Sequence, residues 1–254
     1  MASKSQKSAL VLVHGAWGGA WIWERVLPPL RDAGYSVHTV SLTGTGERAH
    51  LRRPDITLDD HIQDVVALID SEQLDQVFLV GHSYGGLVIT GAAHTLEKRR
   101  QGRITGLIYV DAMVPLPGEG WGSGHSDEVA SARRELAAAN DNALPAPDAH
   151  DGFNLSFEDA TWLNAKNTPH PFGMYRVPFH FEPALIDVIP RLFINCTNPP
   201  YPTIDTARER VYSTPGWKIQ EISTGHFPMV SAPQELAEGM VSFSDSVSSQ
   251  LRAI

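Results

Sequence analysis

The stretch from Phe78 to Val88 constrains the fold most, because an apolar run leads through Gly-His-Ser-Tyr-Gly into a second apolar run. The first run has the length and character of a buried strand, whereas the second, with its small residues, suits a buried helix. A strand that turns directly into a helix strains the backbone at its apex, Ser83, so the residues two before and two after it must be nearly bare. Gly81 and Gly85 occupy those positions. The pattern predicts a nucleophile elbow, with the Ser83 hydroxyl exposed at the carboxyl end of a sheet.

Strand-like apolar runs alternate with helical patterns along most of the chain. The runs are Ala9–Val13, Ser36–Leu42, Phe78–Val80, Ile104–Val110, Arg191–Asn195 and Lys218–Ile222. This alternation predicts an α/β fold, a doubly wound and mostly parallel sheet with helices on both faces. We also expect a helix over Trp21–Ala33 that Pro28-Pro29 distorts or restarts, and a last helix from Ser231 with Gln234 as its capping-box partner.

The interval 115–188 departs from this alternation, since it is rich in Pro, Gly, His, Asn and aromatic residues. It holds two helix candidates, 126–140 and 156–165, and is too long for a plain loop. We interpret it as a small helical cap, inserted after the strand that follows the nucleophile strand. Residues 1–114 and 189–254 then form the core.

Composition and charge narrow the possible partners. The net charge of −9 disfavours a nucleic-acid binder, and the one dense basic cluster, Lys98 to Arg100 with Arg103, is better placed to cap a helix C-terminus. The sequence has no signal-peptide pattern and no apolar run long enough to span a bilayer. A single cysteine, Cys196, excludes an internal disulfide and fits a reducing compartment. We therefore expect a cytoplasmic protein with neither nucleic-acid nor membrane partners.

A serine hydroxyl needs a base to remove its proton, and histidine is suited to that task at neutral pH. His226 is the best placed candidate, because it follows a strand in a Gly-His loop near the chain end. His14 is expected to order its own loop through hydrogen bonds, and strand geometry points His82 away from Ser83. The remaining histidines lack the spacing of metal ligands, so we predict no metal and no cofactor.

A tetrahedral intermediate needs hydrogen-bond donors that are already in position for its oxyanion. One predicted donor is the backbone N–H of Tyr84, which follows the nucleophile at the start of a helix. The second should come from the loop after the first strand, His14-Gly15-Ala16-Trp17. Ala16 is the predicted donor there and Trp17 is the alternative.

Three of these segments, 14–17, 81–86 and 225–226, resemble the α/β-hydrolase superfamily. Residues 21–23 and 191–197 are similar to the branch that holds plant methylesterases, hydroxynitrile lyases and many small bacterial esterases. The resemblance covers almost the whole chain and implies the α/β-hydrolase fold, with the nucleophile, the acid and the base in that chain order.

The chain departs from this branch at the position of the acid. The branch usually carries its acid after the next-to-last core strand, where this chain reads Cys196 to Pro202 without a carboxylate. Asp111 instead stands at the end of the strand after the elbow, an arrangement similar to that of some pancreatic-type lipases and haloalkane dehalogenases. A buried carboxylate needs a cation or good donors, and an imidazole that becomes charged during turnover supplies both. We assign the acid to Asp111, with Asp205 as the alternative.

The resemblance and the candidate residues together predict a serine hydrolase that cleaves a carboxylic ester, with lactones and carbamate esters in the same class. The substrate should be small to medium and hydrophobic, because apolar side chains lie at the predicted active face. The predicted substrate-binding residues are Trp17, Met113, Trp121, Trp162, Phe172, Phe227 and Met229. Two alternatives stay open, a lyase of the hydroxynitrile lyase type and a slow or non-catalytic ligand receptor on the same fold.

Overall fold

A computed structural model of the protein describes residues 7–175 and 177–252. Its centre is a parallel sheet of six strands, in the order β2-β1-β3-β4-β7-β8. The strands are β1 Ala9–Val13, β2 Ser36–Val40, β3 Val77–His82, β4 Ile104–Val110, β5 Ala143–Leu144, β6 His170–Pro171, β7 Arg191–Cys196 and β8 Trp217–Ile222. The predicted α/β fold with a parallel sheet is confirmed.

Helices connect the strands and cover both faces of the sheet. They are α1 Leu27–Asp32, α2 Leu58–Ser71, α3 Gly85–Arg99, α4 Asp127–Ala138, α5 Phe157–Lys166, α6 Pro183–Ile186, α7 Asp205–Ser213, α8 Pro228–Ser231 and α9 Pro233–Arg252. Among the described residues no helix combines the length and apolar character needed to cross a bilayer. The first six residues, where we expected no signal peptide, lie outside the described part.

The apolar strands divide their side chains between two cores, because successive side chains of a strand point to opposite faces. Val11, Val13 and Leu79 enter the core beneath α2 and α3. Leu10 and Leu12 enter the other core, beneath α1 and α9. Strands buried on both faces explain why these runs are apolar throughout instead of alternating.

Two helix predictions differ from the structure near prolines. The segment predicted as one helix over Trp21–Ala33 is a 3₁₀ turn, Ala20–Trp23, followed by α1, which places Pro28 and Pro29 in its first turn. Proline is tolerated there because the first N–H groups of a helix have no intrahelical acceptor. The prediction that Ser231 begins the last helix is wrong, since Ser231 is the last residue of α8 and donates to the carbonyl of Phe227.

The basic cluster lies at the C-terminal end of α3, as its sequence indicated. Lys98 pairs with Glu182, and Arg99 and Arg103 both pair with Asp70. These cations are engaged by carboxylates of the same chain, and cations at a helix C-terminus are favoured by the helix dipole.

The interval 115–188 lies between β4 and β7. It holds α4, α5, α6 and a small antiparallel pair formed by β5 and β6. We call this interval the insert below. Its interpretation as a cap over a core of 1–114 and 189–254 stays a prediction.

We expect Gly86→Ala to destabilise the fold, because a methyl group at this position would lie 2.0 Å from the carbonyl oxygen of Met113. Overpacking of this kind costs about 1–3 kcal/mol in the free energy of unfolding. Urea unfolding should show a lower midpoint with an unchanged slope. Gly124→Ala is the matched control, since its nearest neighbouring atom is 3.7 Å away. Equal midpoints for the two variants would contradict the close packing at Gly86.

Candidate active site

The carboxyl ends of β3 and β4 and the loop after β8 bring Ser83, Asp111 and His226 into one hydrogen-bonded row. His226 Nε2 lies 3.0 Å from Ser83 Oγ, and His226 Nδ1 lies 2.6 Å from Asp111 Oδ2. Asp111 and His226 are both buried. Since Nδ1 faces a carboxylate, it carries the ring proton, which leaves Nε2 free to accept the proton of the Ser83 hydroxyl.

The elbow holds Ser83 in a left-handed backbone conformation, with φ of 53°. Its N–H donates to the carbonyl of Val110, and its carbonyl accepts from the N–H groups of Gly86 and Met113. A methyl group at Gly81 would lie 2.5 Å from the carbonyl oxygen of Gly85. The turn can therefore close only because Gly81 has no side chain, as the sequence predicted.

Asp111 receives hydrogen bonds on both of its carboxylate oxygens. Oδ2 faces His226, while Oδ1 lies 3.3 Å from Arg208 Nη2 and 3.4 Å from the N–H of Cys196. Arg208 is itself held by the Asn195 carboxamide, 2.6 Å from its Nε. These donors satisfy both oxygens of a buried carboxylate, which would otherwise be costly to remove from water. Nothing in the sequence pattern indicated Arg208, which reaches back from α7.

The alternative acid, Asp205, occupies a different environment. Its side chain is 58% exposed and forms an ion pair with Arg208. It therefore reaches the buried row only through Arg208, whereas Asp111 contacts the His226 ring directly.

The loop after β1 passes close to Ser83. A methyl group at Gly15 would lie 2.8 Å from Ser83 Cβ. The N–H of Trp17 donates to His170 Nδ1 at 3.3 Å, so it is already engaged. In the described part of the chain, the N–H groups of Ala16 and Tyr84 have no acceptor. These two groups remain available to a bound oxyanion, and Tyr84 lies at the N-terminus of α3, where the helix dipole favours negative charge.

Four further buried histidines surround the row, and each is fixed by hydrogen bonds. His14 accepts from the N–H of Leu42 at 3.1 Å, and its Nδ1 lies 2.7 Å from the carbonyl of Gly15. This confirms the prediction that His14 orders its loop. His82 turns away from Ser83, and its Nε2 lies 2.8 Å from the carbonyl of His226, which holds the backbone of the candidate base. Burial lowers the pKa of His14 to about 4 and also lowers the pKa values of His61, His82 and His170.

A cavity opens beside Ser83 and is walled largely by apolar side chains. Two of the predicted substrate-binding residues, Trp17 and Phe227, line it. Phe153, Tyr201 and Asn167 line it as well and were not predicted. Phe153 and Asn167 belong to the insert, whose loop positions the sequence pattern does not fix.

The other five predicted substrate-binding residues do not line this cavity, and each contacts a different part of the structure. Met113 borders a neighbouring cavity with Leu87 and Arg210. Trp121 is buried against Tyr84 and His170. Trp162 packs edge-on against Trp21, Phe172 stacks on Tyr175, and Met229 is fully buried in the core beneath α1 and α9.

Metal ligation has no support in the side-chain arrangement that the structure describes. Across residues 7–175 and 177–252, no group of three His, Cys, Asp or Glu side chains is arranged to hold an ion.

Comparison with known proteins finds a family profile and relatives that match most of this chain. A family profile of alpha/beta hydrolases matches residues 10–239. The carbendazim hydrolyzing esterase of Nocardioides sp. (strain SG-4G) is 35% identical over 253 residues, which cover 90% of this chain and 96% of that protein. Methylesterase 2 of Arabidopsis thaliana is 24% identical and covers 97% of this chain and 99% of its own. The solved extracellular alpha/beta-hydrolase from a Paenibacillus species superposes with a TM-score of 0.76 at 22% identity, over 92% of this chain and 98% of its own. The predicted superfamily and branch are confirmed.

We expect the free energy of unfolding to fall as the pH decreases from about 6.5. The reason is that a histidine in the unfolded chain binds a proton in this range, whereas the same histidine buried in the folded protein does not. Above pH 6.5 His14 is neutral in both states. Between pH 6.5 and the folded pKa of about 4, only the unfolded state takes up the proton. The free energy of unfolding therefore decreases with falling pH by about 1.4 kcal/mol per unit, or about 3 kcal/mol in total, for this residue.

Urea unfolding at several pH values between 7 and 4 measures this slope. His14→Gln keeps an acceptor for the N–H of Leu42 and removes the titrating group, so its stability should fall less steeply than that of the unmodified protein. If the free energy of unfolding fell equally steeply with pH in both proteins, the attribution of this slope to His14 would be contradicted.

Proposed function

The chain belongs to the alpha/beta hydrolase family, and we propose that it is a serine esterase that cleaves carboxylic esters through an acyl-enzyme. The observation that carries this proposal is the row of two hydrogen bonds, 3.0 Å from Ser83 Oγ to His226 Nε2 and 2.6 Å from His226 Nδ1 to Asp111 Oδ2. A row of this kind supplies a nucleophile, a base and a group that orients the base.

In the proposed first half-reaction, Ser83 Oγ forms a bond to the ester carbonyl carbon while His226 Nε2 takes the hydroxyl proton. The tetrahedral intermediate then collapses, the bond to the alcohol oxygen breaks, and His226 returns the proton to the leaving alcohol. In the second half-reaction, water attacks the acyl group with His226 again as the base. The products are the carboxylic acid and free Ser83.

Asp111 is proposed as the acid that holds His226 in the required tautomer and stabilises the imidazolium. The hydrogen bond at 2.6 Å and the burial of both groups support this role. Arg208 and the N–H of Cys196 hold the other carboxylate oxygen, so that Oδ2 stays directed at the ring.

The backbone N–H groups of Ala16 and Tyr84 are proposed as the oxyanion donors. Ala16 is preferred to Trp17 because the Trp17 N–H is already bound to His170. Donors of this kind act on the charge that develops on the carbonyl oxygen, and one donor contributes about 10²–10³-fold to kcat.

The proposed substrate is a small to medium, hydrophobic ester. Aromatic side chains of Trp17, Phe153, Tyr201 and Phe227 border the cavity, with the Asn167 carboxamide as a polar group among them. One relative is named for carbendazim hydrolysis and another is a methylesterase. Lactones and carbamate esters pass through the same tetrahedral chemistry and belong to the proposed range. We also propose a cytoplasmic location without nucleic-acid or membrane partners, on the basis of net charge and cysteine content.

We expect turnover of 4-nitrophenyl esters of graded acyl length, and a loss of at least about 10³-fold in kcat for Ser83→Ala. Nitrophenol release measures the turnover, and labelling by a fluorophosphonate should disappear in the same variant. Unchanged labelling or turnover in Ser83→Ala would overturn the proposal.

The same protein should be given mandelonitrile, with cyanide release as the readout for the lyase alternative. Cyanide release without ester turnover would favour the lyase. Binding of a ligand without multiple turnover of any ester would favour the receptor.

We expect Asp111→Asn to lower kcat by about 10³–10⁴-fold, because the carboxamide cannot stabilise the imidazolium and favours the wrong tautomer. Asp205→Asn is the matched control and should stay within about threefold of the unmodified enzyme, because its exposed side chain pairs with Arg208 and does not contact the row of Ser83, His226 and Asp111. Steady-state kinetics on one activated ester compare the two. A loss confined to Asp205→Asn would assign the acid to Asp205.

A further inference from the structure

Trp17 is held by the insert through each of its hydrogen-bonding groups. Its N–H donates to His170 Nδ1 at 3.3 Å, and its carbonyl accepts from the N–H of Thr168 at 2.9 Å. Its indole Nε1–H donates to the carbonyl of Leu144 at 2.9 Å. These partners lie in or beside β5 and β6. The small sheet of the insert therefore binds the residue that follows the proposed oxyanion donor Ala16.

Trp17 needs such support because its backbone has a φ of 67°. A bulky residue in the left-handed region is strained and persists only where its surroundings enforce it. The peptide unit that carries the Trp17 N–H joins Trp17 to Ala16. Fixing this N–H therefore fixes the backbone of Ala16 beside Ser83.

His170 is an unusual partner for this N–H because it is fully buried and, among the described residues, only its Nδ1 has a hydrogen-bond partner. Its ring packs against Tyr84 and Trp121, with centroids 4.9 Å away in both cases. Nδ1 accepts a hydrogen bond, so the proton of the neutral ring is on Nε2, and Nε2 has no partner among the described residues. Burial lowers the pKa of His170 well below its ordinary value, so the ring stays neutral and Nδ1 keeps its lone pair. A buried donor without an acceptor costs stability, and a phenylalanine would fill the same space without that cost.

We propose that His170 is a positioning residue for oxyanion stabilisation, which holds the N–H of Trp17 and thereby directs the N–H of Ala16 at the substrate carbonyl oxygen. The inference rests on the proposed esterase function. If this proposal holds, the insert both lines the cavity and orients a proposed oxyanion donor.

Two substitutions separate the hydrogen bond from the packing. His170→Phe keeps an aromatic ring against Tyr84 and Trp121 but removes the acceptor. His170→Asn loses the ring but places a carboxamide oxygen near the position of Nδ1. The positioning role predicts that kcat falls about 10- to 100-fold in the Phe variant with KM within about threefold, and that the Asn variant retains most of the activity.

Inhibitor binding gives a readout that a purely structural role would not change. A trifluoromethyl ketone forms a tetrahedral adduct with an oxyanion, so its inhibition constant should rise in His170→Phe by the same factor as kcat falls. The corresponding amide, which forms no adduct, should bind as before. The urea midpoint of His170→Phe should stay close to that of the unmodified protein, because removal of the unpartnered Nε2–H offsets the loss of the acceptor for the Trp17 N–H.

The outcomes separate this inference from the function on which it rests. Absence of Ser83-dependent ester turnover in the unmodified protein would overturn the proposed function itself. Given that turnover, normal kinetics in His170→Phe, or equal losses in the Phe and Asn variants, would overturn the positioning role alone. His180→Leu, at an exposed histidine of the same insert, controls for loss of an imidazole and should leave kcat unchanged.

Discussion

The close approach of three backbone segments around Ser83 is the constraint on which the rest of the site depends. The elbow closes only where Gly81 lets the start of α3 come near, and Gly15 lets the loop after β1 pass beside the nucleophile. Met113 then bonds to the Ser83 carbonyl and ties the chain after β4 to the same point. The parallel sheet makes this possible because its strands end together at one edge. The strain at Ser83 is therefore balanced by packing that extends through β1, β3 and β4.

The position of the proposed acid, Asp111, follows from the same geometry. β4 is the neighbour of β3 in the sheet, so Asp111 at its end lies within one strand spacing of the elbow and can meet a histidine from the loop after β8. The loop after β7, which carries the acid in the branch that this chain resembles, instead leads into α7 and its Arg208. That cation contacts Asp111 Oδ1. Arg208 therefore holds one carboxylate oxygen of Asp111 while the other faces the imidazole of His226, so the orientation of the carboxylate depends on a residue outside the row.

The sequence was sufficient for the sheet and the elbow because both depend on local patterns. Ser83, Asp111 and His226 could be named as candidates because each stands at or just after the end of a predicted strand, although the contacts that join them are long-range. Apolar runs define strands, and glycines around Ser83 define the turn. Side-chain positions were harder to predict where long-range packing decides them. Trp121 and Met229 are apolar residues near the site in the chain, but neighbouring elements bury them in the core. Arg208 and His170 gain their roles from contacts more than 90 residues away in the chain, which periodicity cannot reveal.

The proposed base, His226, differs from the other buried histidines in its hydrogen-bond partners. His14, His61, His82, His170 and His226 are all buried around the site. Backbone groups, a hydroxyl or a peptide N–H are the hydrogen-bond partners of the first four, and burial lowers their pKa values, so they stay neutral. In the part of the chain that the structure describes, His226 is the buried histidine with a carboxylate oxygen within hydrogen-bond distance. In the proposed reaction, a proton taken from Ser83 is stabilised on that ring, because Asp111 Oδ2 lies beside its Nδ1. The neutral histidines can then serve as fixed hydrogen-bond partners for the loops without competing for the proton.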